Sequence, residues 1–432
     1  MRLKYANKKD LSDMLKKILS GVLAVIMMVS LTVIFSGCSN KNDYNLSGVV
    51  SNGGLGVIKD GYLYYVNGGT DKFEDYASKV EEASSIYKRA VDASGNPIEG
   101  AEPQLVYKGI AGFKYGSLHI FGDYIYFATP SAMLSNKAEK MTDRTSFCRV
   151  GLDGKKYEVL HTTETKDALQ YTYYSANDDE LYLVVLEGEE LYSINIAKDK
   201  KIEIASDVQS VAFASENGRG NGADKYLFYT KAPADTYLTQ NGFMVYRATA
   251  DNKLNEVIAS GADYKLYQVK FGYLYYSVDG KVYRTTSTAG LDRTNLVSYE
   301  ILKNMFFTEN GGVVGTGQTE GYKNFVYARW VNGAKIEGKV LNSADSFVAY
   351  AERNGVLYAS NSDKAIVKLN LDSLSTQSND DTKFIDSAIL SIGDKLNVEI
   401  IGDYIYYFTE TKSTDDNGNK LTTWNLNVEK LK

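Results

Sequence analysis

Two histidines and two cysteines are all that 432 residues offer for imidazole or thiol chemistry. His119 lies in Ser117-Leu118-His119-Ile120 and His161 in Val159-Leu160-His161-Thr162, both within strand-like runs. A general base or a metal site needs partners, and no His/Cys cluster accompanies either one. Both read as strand or rim histidines. Cys148, in Phe147-Cys148-Arg149, reads as a small buried hydrophobe in a strand. Gly218-Arg219-Gly220-Asn221-Gly222 has the glycines of a phosphate loop, but it precedes a strand and lacks the Lys-Ser/Thr that would follow. A hairpin or connecting loop is expected there.

Asp415-Asp416-Asn417-Gly418-Asn419 sets oxygen ligands at alternate positions, as a calcium loop would. The bidentate Glu that an EF-hand requires is replaced by Leu426, and the Gly is misplaced. A hairpin loop is the reading, with a weak surface calcium site as its alternative. No Gly-x-Ser-x-Gly elbow occurs. Among 54 Asp+Glu the sequence nominates no pair for glycoside hydrolysis. No catalytic residue, metal ligand or cofactor is therefore expected. The balance of 48 Lys+Arg against 54 Asp+Glu, net −6, argues against a nucleic-acid partner held by phosphate neutralisation.

The 35 Tyr, beside two Trp and four Pro, are the compositional excess. In Tyr62-Leu63-Tyr64-Tyr65 a strand's alternation puts Tyr62 and Tyr64 on one face and Leu63 and Tyr65 on the other. Most tyrosines are expected to pack between sheets, ring buried and hydroxyl at the edge. A minority placed on loops (Tyr76, Tyr237, Tyr264, Tyr322) are candidates to stack on a sugar or anchor a protein.

The elements that would position these residues recur. A tetrad of turn residue, apolar or Tyr, aliphatic, then usually Tyr ends at positions 64, 126, 182, 228, 275, 315, 358 and 406, the third and sixth copies being degenerate. A second motif follows, in Ile86-Tyr87-Lys88-Arg89, Phe147-Cys148-Arg149, Val245-Tyr246-Arg247, Val282-Tyr283-Arg284 and Val326-Tyr327-Ala328-Arg329. Looser copies are Leu191-Tyr192-Ser193, Ile366-Val367-Lys368 and Thr423-Trp424-Asn425. Turns such as Asp279-Gly280 and Asp153-Gly154 separate the strands. Short strands repeated at this spacing predict an all-β chain, a β-propeller of four-stranded blades. Eight anchors favour eight blades, and seven follow if the sixth anchor is false; two β-sandwiches are the other architecture. Extra length falls between the motifs at Asn67–Ser85 and Ser131–Ser146, with a short helix possible over Lys72–Glu82.

Tyr64-Tyr65-Val66-Asn67, Tyr275-Tyr276-Ser277-Val278 and Tyr406-Tyr407-Phe408-Thr409 resemble the YWTD repeats of low-density-lipoprotein-receptor-type propellers, and those of a bacterial family of exported propellers, although none carries the Trp or the Asp. The resemblance implies the fold and no ligand. At the other end of the chain, Arg2, Lys4, Lys8, Lys9, Lys16 and Lys17 precede the uncharged run Ile18–Phe35. That is an export signal, with an uncleaved membrane helix as the alternative. Phe35-Ser36-Gly37-Cys38 resembles the lipobox of bacterial lipoproteins, with Phe in place of the usual Leu. The resemblance implies that Cys38 carries a lipid and becomes the mature N-terminus.

The expected organisation is a signal peptide over 1–37, lipidated Cys38 with a flexible tether to 47, and a propeller over 48–432. Its expected role is a non-enzymatic module on the extracytoplasmic face of the cell membrane, binding a protein or glycan partner. The rival is a propeller enzyme, a hydrolase or lyase acting on carbohydrate.

Overall fold

Apolar residues two apart, punctuated by Asp-Gly and Gly turns, leave this chain little choice but short antiparallel strands. In Asp60-Gly61 and Asp279-Gly280 both residues have positive φ, the geometry of the two-residue hairpin turn that matches strand twist. The computed structural model describes residues 56–431, other than 69–83, 112–117, 131–143, 165–168, 176–179, 216–217, 233–241, 287–289, 292–295, 299–301, 309–310, 320–321, 332–333, 341–346, 354, 362–364, 372–384, 392–395, 415–417 and 419. The leader, Cys38 and the expected helix over 72–82 lie outside the described residues. The chain's main compact unit spans Tyr44–Lys432.

Described strands form eight antiparallel sheets, each in strict chain order. They are the blades of a β-propeller. Blades one to eight span residues 56–107, 119–162, 169–205, 208–262, 265–298, 302–340, 348–391 and 396–430. Seven have four strands; the eighth has three among the described residues. The first strands approach one another from blade to blade, so they line the axis. The fourth strands, such as Glu158–Thr162 and Asn255–Ala262, form the exposed rim. The sixth anchor belongs to a genuine blade, and the described residues form eight blades.

Every neighbouring pair of sheets is sealed by an apolar layer, and alternation decides which layer a residue joins. Tyr64 packs towards blade two with Ile120, Ile125 and Phe127. Leu63 and Tyr65 pack towards blade eight with Tyr404, Tyr406 and Phe408. In blade five Leu274, Tyr276 and Val278 face blade four, while Tyr275 and Val282 face blade six with Phe307. The layer between blades eight and one closes the ring. The first strand of blade one, Gly56–Lys59, pairs with the second strand of the same blade.

All eight tetrads lie at the second strands and all eight second motifs fall on the third. The register sharpens both. Residue four of the tetrad pairs with residue three of the second motif in Tyr64↔Lys88, Tyr126↔Arg149, Phe228↔Arg247, Tyr275↔Arg284 and Tyr358↔Lys368. In blade three the equivalent pair is Val184↔Ser193 and in blade six Val313↔Ala328. The two degenerate anchors were thus placed two residues out of phase. A slip of two keeps every side chain on its face, which is why the pattern survived it. In blade eight Tyr406 pairs with Val428, so Leu426-Asn427-Val428 is the equivalent motif rather than Thr423-Trp424-Asn425. Blades one to five and seven share a register shift after the first residue of the second motif, where strands three and four pair. A bulge at one repeated position strengthens the local twist of each blade.

Candidate functional site

The sequence's chemical candidates divide between core and connection. His119 is fully buried in the first strand of blade two, edge-on to Tyr173 at 5.0 Å. Burial pushes its pKa down to about 3, so it is a neutral core residue. Cys148 is buried with Sγ 3.3 Å from the Tyr157 hydroxyl, and burial pushes the thiol up to about 11. It is no nucleophile near neutrality. Gly222–Lys225 is a short 3-10 turn leading into the second strand of blade four. The glycine-rich run thus lies in the connection between strands one and two of blade four, and the Ala223 amide docks it on blade five by donating to Gly272 O at 3.0 Å. Tyr264, read as a loop residue, is buried against Tyr276. Tyr322 begins a third strand. Tyr76, Tyr237 and Asp415–Asn417 lie outside the described residues.

Two arrangements escaped the sequence reading. The first is a repeated cation on a ring: Lys88 over Tyr62 at 5.2 Å, Arg149 over Tyr124 at 4.5 Å, Arg247 over Tyr226 at 4.7 Å and Arg284 over Tyr273 at 4.2 Å. Each cation sits at residue three of the second motif and each ring at residue two of the tetrad, a diagonal cross-strand pair. The basic residues also reach the next blade. Lys88 Nζ donates to Leu152 O at 3.1 Å, and Arg284 Nη1 donates to Gly311 O. The visible signal was the Arg or Lys recurring after each Tyr-like residue; these cations stitch blades together.

The second is a His–Tyr–carboxylate chain between blades two and three. The Tyr192 hydroxyl donates to Glu187 Oε2 at 2.7 Å, so in its 3.0 Å contact with His161 Nε2 the imidazole N–H is the donor. The amide of Glu164 donates to Glu187 Oε1 at 2.7 Å, and Lys201 Nζ lies 4.1 Å from the centre of the Tyr192 ring. Burial lowers the pKa of His161, against the pull of Glu187 and with the push of Lys201. Burial, then the bond to Glu187, raises that of Tyr192. The hydroxyl keeps its proton, the imidazole is neutral, and both oxygens of the buried carboxylate are occupied. The arrangement holds blade three to blade two, and with Nε2–H donating, the lone pair of the neutral imidazole lies on Nδ1.

What distinguishes one end of the molecule is its connections. Turns joining strands one to two and three to four emerge at one end of each blade, and those joining two to three at the other. Like ends meet around the ring: Lys59 Nζ donates to Gly122 O at 2.6 Å across one end, and Glu164 meets Glu187 across the other. Strands two and three are joined by a two-residue turn in blades three and five, at Gly188-Glu189 and Asp279-Gly280. In blades one, two and four the same connection runs over 67–85, 131–144 and 232–242.

Blade eight extends strands two and three themselves, Tyr404–Thr414 and Lys420–Lys430. Glu410 to Thr414 are exposed. Trp424, Leu426 and Val428 face blade one, where a Cβ on Gly68 would fall inside the Trp424 indole. The opposite face carries amide and hydroxyl pairs, Asn425 Nδ2 to Thr411 Oγ1 and Asn427 Nδ2 to Thr409 Oγ1, both at 3.0 Å. This arm, beside the connections of blades one and two, is the candidate functional surface. Among the described residues no group of His, Cys, Asp and Glu is arranged to hold a metal ion, and no helix is long and apolar enough to cross a membrane.

No protein-family model and no curated protein sequence matches the chain. Among solved structures it is similar to dipeptidyl peptidase 4 of Porphyromonas gingivalis, at TM-score 0.46 and 11% identity, covering 87% of this chain and 56% of that one. It is also similar to the β-propeller domain of Cps50 (Swd1) from Myceliophteria thermophila, at TM-score 0.39 and 8% identity, covering 89% and 99%. Oligogalacturonate lyase from Vibrio parahaemolyticus gives TM-score 0.37 and 10% identity, covering 70% and 86%.

Proposed function

We propose that this protein is a lipid-anchored propeller on the extracytoplasmic face of the membrane, binding a protein or glycan partner without catalysis. The observation carrying the binding reading is the one-sided elaboration of the ring. A two-residue turn suffices to join strands two and three, as blades three and five demonstrate. Blades one and two use far longer connections there, beside a projecting arm in blade eight. Long connections held by a rigid scaffold are where binding residues concentrate. The arm's Asn and Thr side chains match the hydrogen-bonding needs of sugar hydroxyls or a peptide backbone. The rival reading, a carbohydrate hydrolase or lyase, finds its best titratable group in His161–Tyr192–Glu187, where both carboxylate oxygens already accept hydrogen bonds from the protein.

The binding reading is tested on a glycan array with the purified protein and with the double variant Thr411→Ala/Asn425→Ala. Loss of a signal on the variant, with an unchanged melting curve, supports the arm; equal binding by both rejects it. Turnover of any bound glycan would instead establish the enzyme. The anchor is tested separately, since Cys38→Ser should abolish metabolic lipid labelling, and persistent labelling contradicts it.

A further inference from the structure

Besides lining the axis, the first strands of five blades share a distortion. In blades four to eight their pairing with the second strand shifts register, and Gln209, Tyr267, Asn304-Met305, Tyr350 and Asn397-Val398 fall within the shift. Blades one to three pair there without a shift. All five bulges lie towards the start of the strand, at the end that bears the two-to-three connections and the arm. Bulges re-aim side chains and are common beside functional sites. Gln209 and Asn304 are exposed, Asn304 with φ +51.

The charge along these strands is opposite in sign to that of the molecule. The eight first strands carry five Lys or Arg against two Glu, in a chain of net −6. Glu352 lies at the far end of its strand, its Oε1 accepting from the Gly355 amide at 2.7 Å, and Glu399 follows the bulge of blade eight. Of the residues before and within the five bulges, only Lys265 and Lys303 are charged, in neighbouring blades five and six. We propose that this mouth of the axial channel binds a multivalent oxyanion bearing phosphate or carboxylate groups, held by Lys265 and Lys303 with the side-chain amides of Gln209 and Asn304.

The two cations are exposed and uncompensated. Lys265 Nζ lies 5.5 Å from the centre of the Tyr267 ring, and the hydroxyl of that bulged tyrosine donates to Ser277 Oγ at 2.8 Å, so the ring under the cation is fixed. Neither Lys265 nor Lys303 makes an ion pair among the described residues. Ammonium groups only donate, and each amide adds two donors; an oxyanion accepts from all four side chains and relieves the repulsion between the two charges. A recess lined by one sign of charge also concentrates counter-ions. The anion is an occupant separate from the partner on the arm, and its site holds whether or not the binding reading is correct.

Titration calorimetry on the intact protein tests the site, with pyrophosphate and citrate as separate probes at fixed ionic strength. At least one should bind saturably. The double variant Lys265→Gln/Lys303→Gln should weaken that binding about tenfold or more, whereas Lys303→Arg, which keeps the charge, should retain it. Lys155→Gln/Lys156→Gln removes the same charge from a rim turn and should leave binding unchanged, as should Thr411→Ala/Asn425→Ala on the arm. Binding of citrate alone assigns a carboxylate ligand, and of pyrophosphate alone a phosphate ligand. Saturable binding of neither probe overturns the proposal, as does equal weakening by the rim variant. Should the double variant fail to fold, the parent decides by its salt response: affinity must fall as sodium chloride rises about tenfold, and constant affinity overturns the site.

Discussion

A buried histidine is a liability in acid, and His119 is buried with its pKa lowered to about 3 by desolvation. In the unfolded chain it titrates near the ordinary histidine value of about 6.5. Between those limits the unfolded state binds the extra proton. The His119 contribution is therefore fully present above about pH 6.5 and is lost progressively as pH falls towards 3, at up to about 1.4 kcal/mol per pH unit. His161, lowered in the same direction, adds to the loss just below pH 6.5. His119→Phe, which keeps a ring against Phe121 and Tyr173, should flatten the slope of stability between pH 6 and 4 in urea titrations. An unchanged slope would contradict a buried neutral imidazole. In the nearby His161–Tyr192–Glu187 network, Tyr192→Phe removes the 2.7 Å hydrogen bond from the hydroxyl to Glu187 Oε2. It should cost about 1–3 kcal/mol, measured by the shift in denaturation midpoint.

Among the elements, the second and third strands were legible because both of their faces are buried and their pattern is strong. The first and fourth were not. Glu158–Thr162 and Asn255–Ala262 sit on the rim with half their residues in water, and an exposed strand has no need of alternation. The same reasoning explains the candidate site. Nothing local in Thr409–Thr414 or Thr423–Asn427 marks them, because their meaning depends on blade eight standing beside blade one, a relation made only when the ring closes. The cations over Tyr62, Tyr124, Tyr226 and Tyr273 were visible as a recurring Arg or Lys, yet their partners lay on another strand. The contact of Gly68 with Trp424 gives an element-scale prediction. Gly68, with φ +67, has no room for a side chain. Gly68→Ala should lower stability by about 1–3 kcal/mol in thermal melts, whereas a neutral effect would show the arm is not seated on blade one.

At the scale of the whole molecule, the tyrosine excess is architectural. Tyr126, Tyr173, Tyr192, Tyr229, Tyr275, Tyr276 and Tyr327 are among the largest fully buried side chains, and they fill the spaces between blades. Some of these hydroxyls find side-chain partners, as Tyr192 does on Glu187 and Tyr229 on Asn255, both at 2.7 Å, and the Tyr406 hydroxyl donates to Gly95 O at 2.5 Å across the closing seam. A ring built this way distributes its stability over eight similar interfaces, leaving its connections free to vary. The blades with long connections between strands two and three are where that freedom was used.

The claim that binding belongs to that end, and not to the axis, is tested most directly by an exchange footprint. The probe is the strongest-binding glycan from the array, added to the intact protein. Slowed exchange in peptides spanning 409–414 and 420–427 is the predicted result. Slowing confined to the first strands, such as Lys265–Lys270 and Leu302–Phe307 at the axis, would contradict it and put the site in the channel.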